Sequence, residues 1–192
     1  MRNFARLRLS LVCVGAGLLP ALAKEPVAAT WRTSPATNEV AVTRAEWRDA
    51  NRDRLVPVKI YSPKSGRGPF PVIVFSYGLG GSREGYEYLG QCWAAQDYVS
   101  VHLQHVGSDD AVWKDAGIGK RKSAMQRAAA QPRNALDRTQ DVSFALDELT
   151  RLNATNAIWR GNLDLARLGV AGHSFGAHTT LATAGAAYAG WG

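Results

Sequence analysis

The pentapeptide Gly172-His173-Ser174-Phe175-Gly176 follows an apolar run, Leu165 to Ala171, and precedes Ala177 to Ala187, a stretch of small residues and threonines. The run reads as a buried strand and the stretch as a helix, so Ser174 falls on a strand-to-helix turn. Such a turn strains the serine backbone and exposes its Oγ. It therefore requires residues without bulky side chains two positions away on either side, and Gly172 and Gly176 meet that requirement. A helix starting at Phe175 aims its free N–H groups, and the positive end of its dipole, at charge developing beside Ser174. The plain alternative is a chance turn in a glycine-rich chain, and the flanking strand and helix weigh against it.

A second glycine-rich turn lies upstream. Pro71-Val72-Ile73-Val74-Phe75-Ser76 runs straight into Tyr77-Gly78-Leu79-Gly80-Gly81-Ser82, where glycines let backbone amides approach a ligand closely. When a serine sits on a turn like that at 172–176, one oxyanion donor is the amide after the serine. The other comes from the loop after the third strand. Those amides are Phe175 and Leu79, with Gly78 and Gly80 shaping the second loop. On their own the glycines would read equally well as a tight connection.

Through Pro71 to Gly80 and Gly172 to Gly176, the chain resembles the serine-nucleophile α/β-hydrolases, within them the platelet-activating factor acetylhydrolase-like and dienelactone hydrolase-like group. Asp141 to Leu149 resembles the helix these proteins place before the nucleophile strand, and the likeness covers residues 38 to 190. It departs at Tyr77, where the family more often has histidine, and at Ala177, where a third glycine is common. A dienelactone hydrolase proper would carry cysteine, so Ser174 points to ordinary ester hydrolysis.

The resemblance implies the chain order nucleophile, acid, histidine. No acidic residue follows Ser174, and the one later histidine, His178, lies a turn along the same helix, poorly placed as a base. The triad acid and histidine are therefore expected beyond residue 192, and the chain as given is expected to be inactive for want of them. His173 reads as a packing or hydrogen-bonding residue beneath the elbow. His102 and His105 fall on opposite faces of the strand Tyr98 to Gln104 with no third ligand, so no metal and no cofactor is expected. His105, at the carboxyl end of that strand, is placed to line a substrate cleft.

Arg2, Arg6 and Arg8 precede a short apolar stretch, Leu9 to Leu22, and Ala21-Leu22-Ala23 supplies a small-x-small cleavage site. Residues 1–23 thus read as a signal peptide, 24–37 as an extended lead-in and 38–192 as the amino-terminal part of one domain, exported to the periplasm or secreted. Cys92 is then alone and makes no internal disulfide. The three leader arginines reduce the net charge from +7 to +4. In the densest basic part, Lys114 to Arg138, the residues Lys120, Arg121, Lys122, Arg127 and Arg133 cluster without interleaved aromatics, which argues for a solvated surface and against nucleic acid. A weak contact with anionic lipid headgroups is compatible with it.

Glu39 to Trp47 and Leu55 to Tyr61 alternate as an antiparallel pair with one exposed face. A helix is expected over 84–96, a strand to Gln104, a long polar connection, and a helix carrying Val142, Leu146, Leu149 and Leu152. The fold class that follows is α/β. By resemblance it is an α/β-hydrolase fold with a mostly parallel sheet, helices on both faces and the carboxyl-terminal strands missing from this chain. The nucleophile strand then becomes an edge, which invites self-association. The function implied is a carboxylic ester hydrolase, acting on short-chain acyl or phospholipid esters through a serine acyl-enzyme. The alternative is a catalytically inactive truncated product acting as a binding or interaction module.

Overall fold

The computed structural model describes residues 38–186. The expected leader and lead-in, and the residue at which the last helix was expected to end, lie outside the described residues. β1 (Val40–Asp49) and β2 (Arg54–Pro63) form an antiparallel hairpin. Asp49 turns it by accepting hydrogen bonds from the Asn51 and Arg52 amides. There follow β3 (Phe70–Ser76), α1 (Glu87–Ala95), β4 (Val99–Leu103), α2 (Ala111–Lys114), α3 (Arg121–Ala130), α4 (Pro132–Thr155), β5 (Leu163–Gly172) and α5 (Phe175–Thr183).

The sheet order is β1-β2-β4-β3-β5. β3 pairs in parallel with β4 and β5, but β2 pairs antiparallel with both β1 and β4. The sheet is therefore mixed, correcting the expectation of a mostly parallel one. The hairpin adds two antiparallel pairings to the two parallel ones made by the later strand–helix–strand crossovers.

Alternation along the strands sorts the side chains into two layers. Val58, Ile60, Val72, Val74, Val99, Val101 and Leu103 form the core with Val142, Ala145, Leu149 and Leu152 of α4. On the opposite face Tyr61 presses against α1, where a Cβ added to Gly90 would lie 2.3 Å from the Tyr61 ring. β2 is consequently buried on both faces from Val56 to Tyr61, whereas its pattern predicted one exposed face. β1 keeps its exposed face through Val42, Arg44, Glu46 and Arg48.

Three further corrections concern the second half. The polar connection contains α2 and α3, and α4 is 24 residues long, begun by Pro132 at a position where a missing N–H costs nothing. Lys120, Arg121, Lys122, Arg127 and Arg133 are exposed as expected, but Arg138 at the end of that basic stretch is fully buried. β5, read as a buried strand, is mostly exposed or half-buried, because it is the sheet's edge among the described residues.

Candidate active site

β5 ends at Gly172 and α5 begins at Phe175, which leaves Ser174 exposed on the turn between them. Its backbone sits at φ 53° and ψ −117°, outside the regions open to L-residues without strain. The turn is pressed onto the end of β3. The His173 amide donates to the Ser76 carbonyl, and a Cβ at Gly176 would lie 1.9 Å from that same oxygen. One at Gly172 would lie 2.3 Å from the Gly176 carbonyl oxygen. Neither position tolerates a side chain, so the two glycines are required by contact.

The loop after β3 closes the other side. A Cβ on Gly78 would stand 3.2 Å from Ser174 Cβ, so backbone and serine are in near contact. Gly80 adopts φ +73°, donates to the Ser108 carbonyl and accepts from Trp113 Nε1 at 2.7 Å. Among the described residues the amides of Leu79 and Phe175 have no hydrogen-bond acceptor, while those of Gly80, Gly81, Gly176 and Ala177 all do. His173 shares a 2.6 Å hydrogen bond with the Tyr86 hydroxyl at the surface, so it bonds beside the elbow and not beneath it.

A serine–histidine–aspartate relay lies one strand away. Ser76 Oγ is 2.9 Å from His105 Nε2, and His105 Nδ1 is 2.9 Å from Asp141 Oδ2. This finding overturns the expectation that the chain lacks a triad-like acid and histidine, and with it the inactivity inferred from their absence, although the chain order here is serine, histidine, acid. It also moves His105 from the cleft wall, where it was expected, into the interior: Ser76, His105 and Asp141 are all fully buried.

The relay's protonation follows from its surroundings. Burial works to raise the Asp141 pKa, but hydrogen bonds from His105 and Arg54 outweigh it and hold the carboxyl below its ordinary value. Arg54 Nε and Arg52 Nη2 donate to Asp141 Oδ1 at 2.8 and 2.9 Å. His105 is pushed down to about 4, first by burial and then by the nearby Arg138 cation. A neutral imidazole beside an ionised carboxylate carries its proton on Nδ1, which leaves Nε2 to accept the Ser76 hydroxyl. Arg138 Nη2 donates to the same Ser76 Oγ at 3.0 Å.

The family model described as platelet-activating factor acetylhydrolase, isoform II, matches residues 50–114. A curated platelet-activating factor acetylhydrolase of Cavia porcellus is 26% identical over 155 residues, covering 67% of this chain and 35% of that protein. The chain is an α/β-hydrolase-like domain related to the platelet-activating factor acetylhydrolases. Solved structures show the fold that goes with this relation. A ferulic acid esterase from Streptomyces cinnamoneus superposes with a TM-score of 0.53 at 18% identity, over 79% of this chain and 56% of that one. A Klebsiella pneumoniae protein named for the dienelactone hydrolases gives 0.53 at 15% identity, over 70% and 50%. The hydrolase-like domain thus spans about a third of its curated relative and about half of these two structures.

In this domain the residues that sequence reasoning missed are Ser76, Asp141 and Arg138. A signal existed: positions 138, 141, 142, 145, 149 and 152 form one stripe at helical spacing. Two charged residues on the stripe that carries the core are either misplaced or paired in the interior.

Proposed function

We propose that the chain carries the nucleophile and oxyanion donors of a carboxylic ester hydrolase. Ser174 Oγ attacks the ester carbonyl, and the Leu79 and Phe175 amides hold the oxyanion that forms. The Ser174 proton ends on the departing alcohol. Water then cleaves the acyl-serine, releasing the acid and restoring the hydroxyl. The observation that carries this reading is an exposed serine at positive φ in near contact with the Gly78 loop, with the Leu79 and Phe175 amides lacking acceptors among the described residues. The names of the guinea-pig relative and of the ferulic acid esterase support an ester as substrate, and short-chain acyl or phospholipid esters are the proposed class. The exposed cations at 120–133 support weak contact with anionic lipid surfaces, and the leader-like residues 1–23 support export.

A second reading is favoured by the relay, which has the geometry of a serine, base and orienting acid. It makes Ser76 the nucleophile. Full burial of Ser76 and its bond from Arg138 leave an ester carbonyl no line of approach, so Ser174 is preferred. Trapping with a fluorophosphonate, followed by mass mapping of the modified peptide, separates the two. Label on the Ser174 peptide is expected, together with hydrolysis of a short-chain nitrophenyl ester that disappears in Ser174→Ala. Label on Ser76, or hydrolysis that survives Ser174→Ala, overturns the reading.

A further inference from the structure

Among the described residues Arg138 is the largest side chain buried without measurable exposure, and it lies beneath both loops of the site. Each arm of its guanidinium reaches a different element. Nη2 donates to the Tyr77 carbonyl and to Ser76 Oγ at the end of β3. Nη1 donates to Ser108 Oγ at 2.9 Å, in the loop after β4. Nε donates to Thr179 Oγ1 at 3.0 Å, on α5. The cation also lies 4.7 Å from the Phe175 ring and 5.3 Å from the Tyr77 ring.

These contacts converge on the two free amides. Tyr77 is two residues before Leu79, and Ser108, held by Nη1, supplies the carbonyl that accepts the Gly80 amide just after Leu79. The Leu79 peptide is therefore gripped on both sides. Thr179, held by Nε, donates its own hydroxyl to the Phe175 carbonyl at 3.0 Å, while the cation faces the Phe175 ring. A planar fork with fixed donor directions can hold three elements at set distances; an ammonium cannot.

We propose that Arg138 is a positioning residue that sets the spacing between the Leu79 and Phe175 amides by tying β3, the loop after β4 and α5 to one guanidinium. This rests on the hydrolase reading for its catalytic consequence, but the clamp itself is a property of the fold. Oxyanion donors act through placement fixed before the reaction, and loss of one such donor costs about a hundredfold to a thousandfold in rate. A clamp acting on both amides is expected to have an effect of that size.

Two measurements test it. Amide hydrogen exchange, which needs no activity, compares wild type with Arg138→Lys, Thr179→Val and Ser108→Ala. Arg138→Lys is expected to speed exchange over both 78–81 and 173–177, Thr179→Val over 173–177 alone, and Ser108→Ala over 78–81 alone. The mild Thr179 and Ser108 variants keep the test open if Arg138→Lys unfolds. Unchanged exchange at both loops in all three variants overturns the clamp. The second measurement is fluorophosphonate trapping. Arg138→Lys is expected to lower the limiting rate about a hundredfold while leaving the half-saturating concentration unchanged. Trapping at the wild-type rate by a folded Arg138→Lys protein also overturns the proposal. Variants that exchange as predicted, beside a wild type that is never trapped at Ser174, count against the hydrolase reading and leave the clamp standing.

Discussion

Two serines stand at the ends of neighbouring parallel strands, Ser76 directly across from Gly172 and Ser174 two residues beyond it. Ser76 has a neutral imidazole as acceptor, an ionised aspartate behind it and no access. Ser174 has access, strain and a pair of unoccupied amides nearby, while the imidazole of His105 is spent on Ser76. Hydrogen-bond geometry alone would choose the first and approach alone the second. A hydroxyl becomes a nucleophile only where a carbonyl can reach it and the resulting charge can be held, so burial decides between them.

Variants at the two serines give the largest expected contrast. Ser174→Ala is expected to abolish both ester turnover and trapping, whereas Ser76→Ala is expected to leave a trappable Ser174 and to lower stability by about 1–3 kcal/mol through the unsatisfied groups it strands. Urea unfolding beside an esterase assay checks both, and the reverse pattern would exchange the roles of the two residues.

Next comes Asp141→Asn, which takes from the half-buried Arg52 and Arg54 the carboxylate they share and leaves them to Asp49 and Asp137. A loss of about 3 kcal/mol in unfolding free energy is expected, the upper end for hydrogen bonds to charged groups. Gly176→Ala is expected to cost at least about 3 kcal/mol, because its methyl has no place beside the Ser76 carbonyl; a soluble, cooperatively melting variant would show that the turn can lift off β3.

A pH dependence confined to the buried side contrasts the relay with the exposed Ser174 in another way. His102 and His105 are each held near 4, chiefly by burial, against an ordinary value of 6.5. Between those values the unfolded chain takes up protons that the folded chain refuses. Stability is therefore complete above 6.5 and falls as the pH drops toward 4, by about 1.4 kcal/mol per unit for each histidine. Below that, protonation of Asp141, whose folded pKa is depressed, adds to the loss. Denaturant melts at several pH values, with His105→Gln as control, measure it. A flat profile from pH 7 to 4 would mean that water reaches the relay.

What the sequence made legible was local. The elbow and the glycine loop were readable because few residues suit particular positions: backbone conformation restricts the choice at Gly80, and close contact restricts it at Gly172 and Gly176. The strands and α1 were readable from periodicity. The mixed character of the sheet was not, because β2 carries no mark saying whether it will join β4 in parallel or antiparallel. Nor was the burial of β2 on both faces, since Lys59 stands in it and reads as an exposed position; in the fold its ammonium is neutralised by Glu84 at the rim of α1. The relay and Arg138 were missed for a related reason. Ser76, His105, Arg138 and Asp141 come from three separate parts of the chain, and each reads alone as a strand end, a cleft residue or a surface charge. Only the packing of α4 across the ends of β3 and β4 makes them one unit.

The contact between Gly90 and Tyr61 has a consequence beyond packing. α1 rests on the sheet with no clearance, and its first turn starts from Tyr86, whose hydroxyl holds the residue before Ser174. A methyl group at position 90 would lift the helix like a shim under one end of a beam, and Tyr86 would travel with it. The fine adjustment of the elbow is thereby geared to the rear of the sheet, where substitutions touch no substrate yet retune the serine.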